Sequence, residues 1–132
     1  MNFKLACTFL AFAAPLASAQ WSSDPTTNLP ISDAAADQVQ PMIAPTSDGG
    51  CYISWLDSIA NGFDVRLQKL DAGGNEEWAH GGILVIDRGF SSTQAYGLDV
   101  DSAGNALVTA RDDSGTGVQI SAAQVSPSGV IT

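Results

Sequence analysis

Apolar and polar residues alternate along most of the chain after residue 20, in short runs separated by Gly, Asp, Asn and Ser. In Phe63-Asp64-Val65-Arg66-Leu67-Gln68 the alternation is strict, the period of a half-buried strand, and it then slips so that Leu70 falls out of phase. Val118, Ile120 and Ala122 alternate in the same way with Gln119, Ser121 and Ala123. Val125 breaks phase at the matching place, as a bulge or a strand end requires. Ser47-Asp48-Gly49-Gly50 and Asp101-Ser102-Ala103-Gly104-Asn105 each stand between two apolar runs, and they supply the side-chain-to-backbone bonds and positive φ of a hairpin. The pattern predicts strands over 40–45, 51–56, 63–70 and 82–86, then over 95–100, 106–111, 118–125 and from Val130 onward. No window sustains a helical period, and Asp33 to Asp37 suffices for one turn only. The chain is read as all-β.

The chain also repeats. At an offset of 55, Leu29-Pro30-Ile31-Ser32 aligns with Leu84-Val85-Ile86-Asp87, Asp57 with Asp112, Gly62 with Gly117 and Gly74 with Gly129. Gln40 and Gln94 match at 54. The matches fall in order, and the shared phase slip is stronger evidence than the identities. Periods of about 40 to 55 residues made of short strands point to propeller blades.

Two stretches carry a resemblance. Gly97-Leu98-Asp99-Val100-Asp101-Ser102-Ala103-Gly104-Asn105-Ala106-Leu107-Val108-Thr109 resembles the strand, Asp-x-x-Gly-Asn turn and strand of bacterial secreted β-propeller repeats. Trp55-Leu56-Asp57, then Asp64 to Asp71, Gly74 and Trp78, is similar to the Trp-x-Asp and Gly-x-x-x-Trp blade pattern of related exported proteins. The second copy departs from it, with Ala110 where the first has Trp55. The resemblance implies about two four-stranded antiparallel blades of an incomplete propeller, since closed propellers have about 4 to 8. It divides the chain into an N-terminal segment over 20–39 with a closing strand at Trp21, a first repeat over 40–92 and a second over 93–132 that stops short of its own Trp. A partial chain ranks first, a self-assembling partial propeller second and another small β fold third, because an open pair of blades leaves exposed edges.

Composition narrows the function. Five Lys and Arg stand against 14 Asp and Glu, a net charge of −9, which is the wrong sign for nucleic acid. Met1 to Ala19 carries Lys4, an apolar run from Leu5 to Leu16 and Ala17-Ser18-Ala19, the layout of a signal peptide cut after Ala19. The run is shorter than the roughly 20 residues of a membrane span and is broken by Pro15, and no later stretch has that character. Cys7 lies too early in the run for a lipidated cysteine. The expectation is a secreted chain, extracellular or periplasmic, with no membrane attachment after cleavage. Beyond residue 19 only Cys51 remains, so no intrachain disulfide forms, and no Asn-x-Ser/Thr acceptor is present. Cys51 reads as a small buried hydrophobe.

Chemistry-bearing residues are few. Glu76-Glu77 and Asp112-Asp113 are neighbours that point to opposite sides, a poor arrangement for the paired carboxylates of glycoside hydrolysis. His80 has no nucleophile signature beside it. Asp99, Asp101, Gly104 and Asn105 hint at a calcium loop, but Ala110 stands where the loop wants Glu, and a hairpin accounts for them without metal. Asp48, Gly49, Asp57, Asp101, Gly104, Asn105 and Asp112 are therefore read as turn-forming residues, and no metal or other cofactor is expected. Trp21, Trp78 and Tyr96 are the ligand candidates, because aromatic faces stack on the apolar C–H faces of sugars. Trp55, on one face with Cys51 and Ile53, reads as core between blades, and Tyr52 faces the opposite layer.

The resulting expectation is a non-catalytic exported binding scaffold that recognises a glycan or another protein. The alternatives are the N-terminal piece of a propeller hydrolase and a structural surface repeat. Self-association through open blade edges is the further partner expectation. N-terminal sequencing of the exported protein is expected to begin at Gln20, and a start upstream of Ala17 would refute the cleavage site.

Overall fold

A computed structural model describes residues 21–59, 62–90, 92–113 and 116–132. The expected signal segment lies outside the described residues. Among the described residues seven strands form: β1 (Gln38–Pro45), β2 (Cys51–Asp57), β3 (Asp64–Leu70), β4 (Ile83–Ile86), β5 (Tyr96–Val100), β6 (Ala106–Asp112) and β7 (Gln119–Val125). They build a four-stranded sheet in the order β1-β2-β3-β4 and a three-stranded sheet in the order β5-β6-β7, every pairing antiparallel. No helix occurs among the described residues. The molecule is all-β, and the two sheets do not close on themselves.

One turn design sets the hairpins. Four five-residue turns, Thr46 to Gly50, Asp71 to Asn75, Asp101 to Asn105 and Ser126 to Val130, share two bonds. The fourth residue's N–H reaches the first carbonyl at 2.9 to 3.1 Å, and the first N–H reaches the fifth carbonyl at 2.9 to 3.0 Å. The fourth place is Gly49, Gly74, Gly104 and Gly129, with φ between 82° and 89°, where a Cβ is disfavoured. The first and third turns recur 55 residues apart, as do the second and fourth. The phase slips at Leu70 and Val125 are strand ends, because β2–β3 and β6–β7 keep an unbroken register up to them. The bulge lies in β1, between Val39 and Met42, where Gln40 takes φ 52° ahead of Pro41.

The two sheets stack. Tyr52 and Leu56 of β2, Val65 and Leu67 of β3 and Ile86 of β4 meet Ala106, Val108 and Ala110 of β6 and Val125 of β7 in one core. Tyr52 is buried and its hydroxyl donates to the Gly104 carbonyl at 2.8 Å, tying the second strand to the turn of the other sheet. At the offset of 55, Ala106, Val108 and Ala110 correspond to Cys51, Ile53 and Trp55, which lie on the far face of the first sheet. The stacking is thus head to tail: unlike faces of equivalent sheets meet. The second sheet's other face, with Leu107, Thr109, Arg111, Ile120 and Ala122, lies open.

Three expectations are corrected. The eighth strand from Val130 is a single bridge between Val125 and Ile131, so the second sheet has three strands rather than four. The closing strand expected at Trp21 is absent, since residues 21–37 run as turns and irregular chain. β3 is buried on both faces rather than one, because the 71–82 loop folds across its polar positions. Gln68 Nε2 donates to the Ala79 carbonyl at 3.0 Å and Arg66 Nε to the Gly81 carbonyl at 3.3 Å, so their stems are covered while their polar ends are satisfied.

Leu56→Ala should lower unfolding free energy by about 2–5 kcal/mol in urea, the cost of emptying a core leucine site. Leu107→Ala, on the open face, should stay within about 0.5 kcal/mol of the parent. Equal losses at both positions would contradict one-sided burial of the second sheet.

Candidate functional site: a groove beneath the N-terminal segment

The N-terminal segment crosses the far face of the first sheet, and three contacts pin it there. Trp21 Nε1 donates to the Ala72 carbonyl at 3.3 Å, and the indole lies flat over Gly74, where a Cβ would come within 3.0 Å of the ring. His80 bridges Glu76 and Asp33, with Nδ1 3.0 Å from Glu76 Oε1 and Nε2 3.3 Å from Asp33 Oδ1. Asp37 and Ser58 exchange two bonds, Asp37 N–H to Ser58 Oγ at 3.0 Å and Ser58 N–H to the Asp37 carbonyl at 3.1 Å. Between the first two anchors, Pro25 helps form a turn over Asp24 to Thr27. Asp24 Oδ1 accepts from Thr26 N–H at 2.9 Å and from its hydroxyl at 2.7 Å, and these bonds hold the Asp24 carboxyl below the usual range.

Beneath this segment run two adjoining hollows that share Ile31 and Ile53. One, of about 300 Å³, is lined by Trp21, Ser22, Thr27, Asn28, Leu29, Ile31 and Ile53. The other, of about 210 Å³, adds Ser32, Gln38, Val39, Pro41 and Trp55. Trp21 is 50% exposed at the lip, whereas Trp55 is 4% exposed and forms the floor. The Gln38 side-chain nitrogen is buried without a partner. An apolar floor, a half-open indole and scattered hydroxyl and amide groups suit a neutral polar ligand.

The three aromatic candidates separate. Trp21 lines the groove. Trp78 instead packs between the sheets, its ring 5.9 Å from that of Tyr52, and its Nε1 donates to the Pro127 carbonyl at 3.2 Å beside Gly129. It repeats what Trp21 does at Ala72 and Gly74. Tyr96 also lies between the sheets, donating to the Gln40 carbonyl at 2.7 Å and accepting from Ser54 Oγ at 3.1 Å. Its ring borders a shallow hollow with Gly97, Thr109, Arg111 and Ile120, but its hydroxyl is committed to the bulge in β1.

The residues read as turn-forming make short-range bonds. Asp48 Oδ1 accepts from Gly50 N–H at 3.1 Å and from the Thr46 hydroxyl. Asp57 Oδ1 accepts from Ile59 N–H at 2.9 Å. Asp101 accepts from Ala103 N–H and Asn105 N–H at 2.9 Å, and from the Asn105 and Gln124 amides, so both of its oxygens face N–H donors. Those donors lower its pKa and occupy the oxygens that calcium would need. Asp112 accepts from Ser121 Oγ at 2.8 Å, and the turn that follows it includes residues outside the description. No cluster of three metal-ligating side chains forms among the described residues.

Sequence reasoning passed over Asn28, Ile31 and Gln38, which carry no motif, and it also passed over Arg88. The Arg88 guanidinium is buried with all three nitrogens unbonded, 5.4 Å from the Phe90 ring, while Arg111 approaches that ring to 4.8 Å. Its own N–H donates to Asp64 Oδ1 at 2.7 Å. Burial lowers the Arg88 pKa and raises that of Asp64. The scarcity of cations in so acidic a chain was the one available signal.

No protein-family model, curated protein or solved structure matches the chain.

The hydrogen bond that His80 donates to the Glu76 carboxylate, the negative charge of Glu76 and then Asp33 raise the His80 pKa above the ordinary imidazole value. The stability that the bridge contributes is therefore full below about pH 6.5 and is lost as pH rises through the elevated value. An NMR titration of His80 should show a midpoint above that of a free imidazole, and Glu76→Gln should lower it. A midpoint unmoved by Glu76→Gln would remove the contact from the account.

Proposed function

We propose that the chain is an exported, non-catalytic binding scaffold whose two sheets are neighbouring blades of an incomplete propeller, and that the groove at Trp21 receives a neutral glycan. The blade reading is supported by the head-to-tail stacking of equivalent sheets and by the repeated seating of an indole on a glycine turn, Trp21 on Gly74 and Trp78 on Gly129. Consecutive antiparallel strands in each sheet fit the same architecture.

The observation that carries the ligand reading is the state of Trp21. Its ring is half exposed, yet it is fixed by Ala72 and Gly74, so a stacking surface is presented without an ordering cost at binding. Asn28, Thr27 and Ser22 surround it with amide and hydroxyl groups of the kind that pair with sugar hydroxyls. A net charge of −9 opposes sulfated or uronic ligands, which leaves neutral or amino sugars. The non-catalytic reading is supported at His80, whose two ring nitrogens face carboxylates rather than a hydroxyl nucleophile.

A glycan array followed by calorimetry tests the reading. Binding to a neutral glycan is expected, with a blue shift of tryptophan emission on saturation. Trp21→Ala should weaken it at least ~10-fold, which is about 1.4 kcal/mol, while Leu107→Ala leaves it unchanged. Silence across the array, or binding indifferent to Trp21→Ala, would overturn it.

A further inference from the structure

The groove beneath the N-terminal segment is lined wholly by residues between Trp21 and Trp55, and its two hollows differ in size and in lining. The first, of about 300 Å³, has the half-exposed Trp21 at its lip and the amide and hydroxyl groups of Asn28, Thr27 and Ser22 around it. Sites for whole small molecules begin at about 300 Å³, so this hollow suits one sugar ring. The second, of about 210 Å³, falls below that limit and adjoins the first at Ile31 and Ile53. Its size suits a substituent on that ring rather than a second ring.

The chemistry of the second hollow selects among substituents. Val39, Pro41, Ile53 and the buried Trp55 give it apolar walls. Gln38 also lines it, and the side-chain nitrogen of Gln38 is buried without a hydrogen-bond partner. A donor so placed is costly until an acceptor meets it. Among the described residues no charged side chain lines either hollow. The ammonium of a free amino sugar therefore finds no counter-ion there, and it brings donors to a donor. An anionic substituent is opposed by the net charge of −9. The hydroxyl of a plain hexose is too short to cover the apolar walls.

We infer that the ligand is an N-acetylated amino sugar, its ring stacked on Trp21 and its acetamido group in the second hollow, an assignment that rests on the glycan reading of this groove. The acetamido carbonyl accepts from Gln38 Nε2, and the Ser32 hydroxyl, which lines the same hollow, accepts from the acetamido N–H. The methyl group leaves water for the walls formed by Val39, Ile53 and Trp55. Both halves of the amide are then paired and the apolar end is covered, a match that neither a free amine nor an unsubstituted hydroxyl provides.

Calorimetric titration of the protein with N-acetylglucosamine and N-acetylgalactosamine, each against its free-amine and plain-hexose counterparts, tests it. At least one N-acetylated sugar is expected to bind at least ~10-fold tighter than both counterparts, because a site built around a hydrogen bond rejects the analogue that lacks it. Saturation-transfer NMR of that complex should be strongest at the acetyl methyl. Gln38→Glu exchanges the donor for a charged acceptor, so in a chain of unchanged far-UV circular dichroism it should reduce the preference for the acetyl form over the free amine at least ~10-fold. Equal affinity for acetylated and plain sugars, with binding still lost in Trp21→Ala, overturns the acetamido assignment and leaves the glycan reading standing. A preference for the acetyl form that Gln38→Glu does not change has the same consequence. Silence with every sugar overturns both.

Discussion

A glycine held at φ near 80° under an indole ring is the constraint from which the molecule is assembled. Gly74 and Gly129 each occupy the fourth place of a five-residue turn, and each is covered by a tryptophan, Trp21 and Trp78. The turn fixes the register of the flanking segment, and register fixes which side chains share a face. A Cβ at either glycine would be strained by its own backbone and would press on the ring at 3.0 to 3.3 Å. The indole in turn donates to a carbonyl two residues before the glycine, Ala72 or Pro127, so neighbouring layers are locked at a set height.

From that spacing follows an asymmetry. Equivalent sheets stacked through unlike faces always leave one face of each kind over. On the first sheet, the N-terminal segment and the 71–82 loop cover the spare face, and their imperfect fit is the groove at Trp21. On the second sheet the spare face is open, and its polar and small residues, Thr109, Arg111 and Ala122, make that tolerable in water. The groove and the open face are thus two outcomes of the same packing rule. Tyr52 and Tyr96 belong to the same scheme: each fills the layer between the sheets and spends its hydroxyl on a carbonyl of the opposite sheet, Gly104 or Gln40.

Strand limits and turns were legible in the sequence because both are local. Alternation over 63–70 and the Asp, Gly and Asn of the hairpins act within a few residues, and all seven strands fall where the pattern puts them to within two residues. Which face meets which is not local. Trp78 reads the same beside a glycine turn whether it is free or pressed against Tyr52, and Tyr96 reads the same whether its hydroxyl meets ligand or the Gln40 carbonyl. The double burial of β3 was hidden because Arg66, Gln68 and Lys69 are polar by name while their stems are apolar. The groove was illegible for a plainer reason: residues 21–37 have no periodicity, and their path is set by Ala72, His80 and Ser58, which are distant in the chain.

Cys51 begins β2 with its thiol buried, and burial raises its pKa, so in the folded molecule it is a poor nucleophile and a poor target for oxidants. That protection belongs to the fold and not to the residue. Whenever the β1–β2 hairpin opens, an ordinary thiol appears, and in an oxidising compartment two such thiols meeting would be joined covalently. Opening would then be ratcheted into cross-linking, so under oxidising conditions the lifetime of this molecule is governed by how rarely one hairpin opens, a rate rather than an equilibrium.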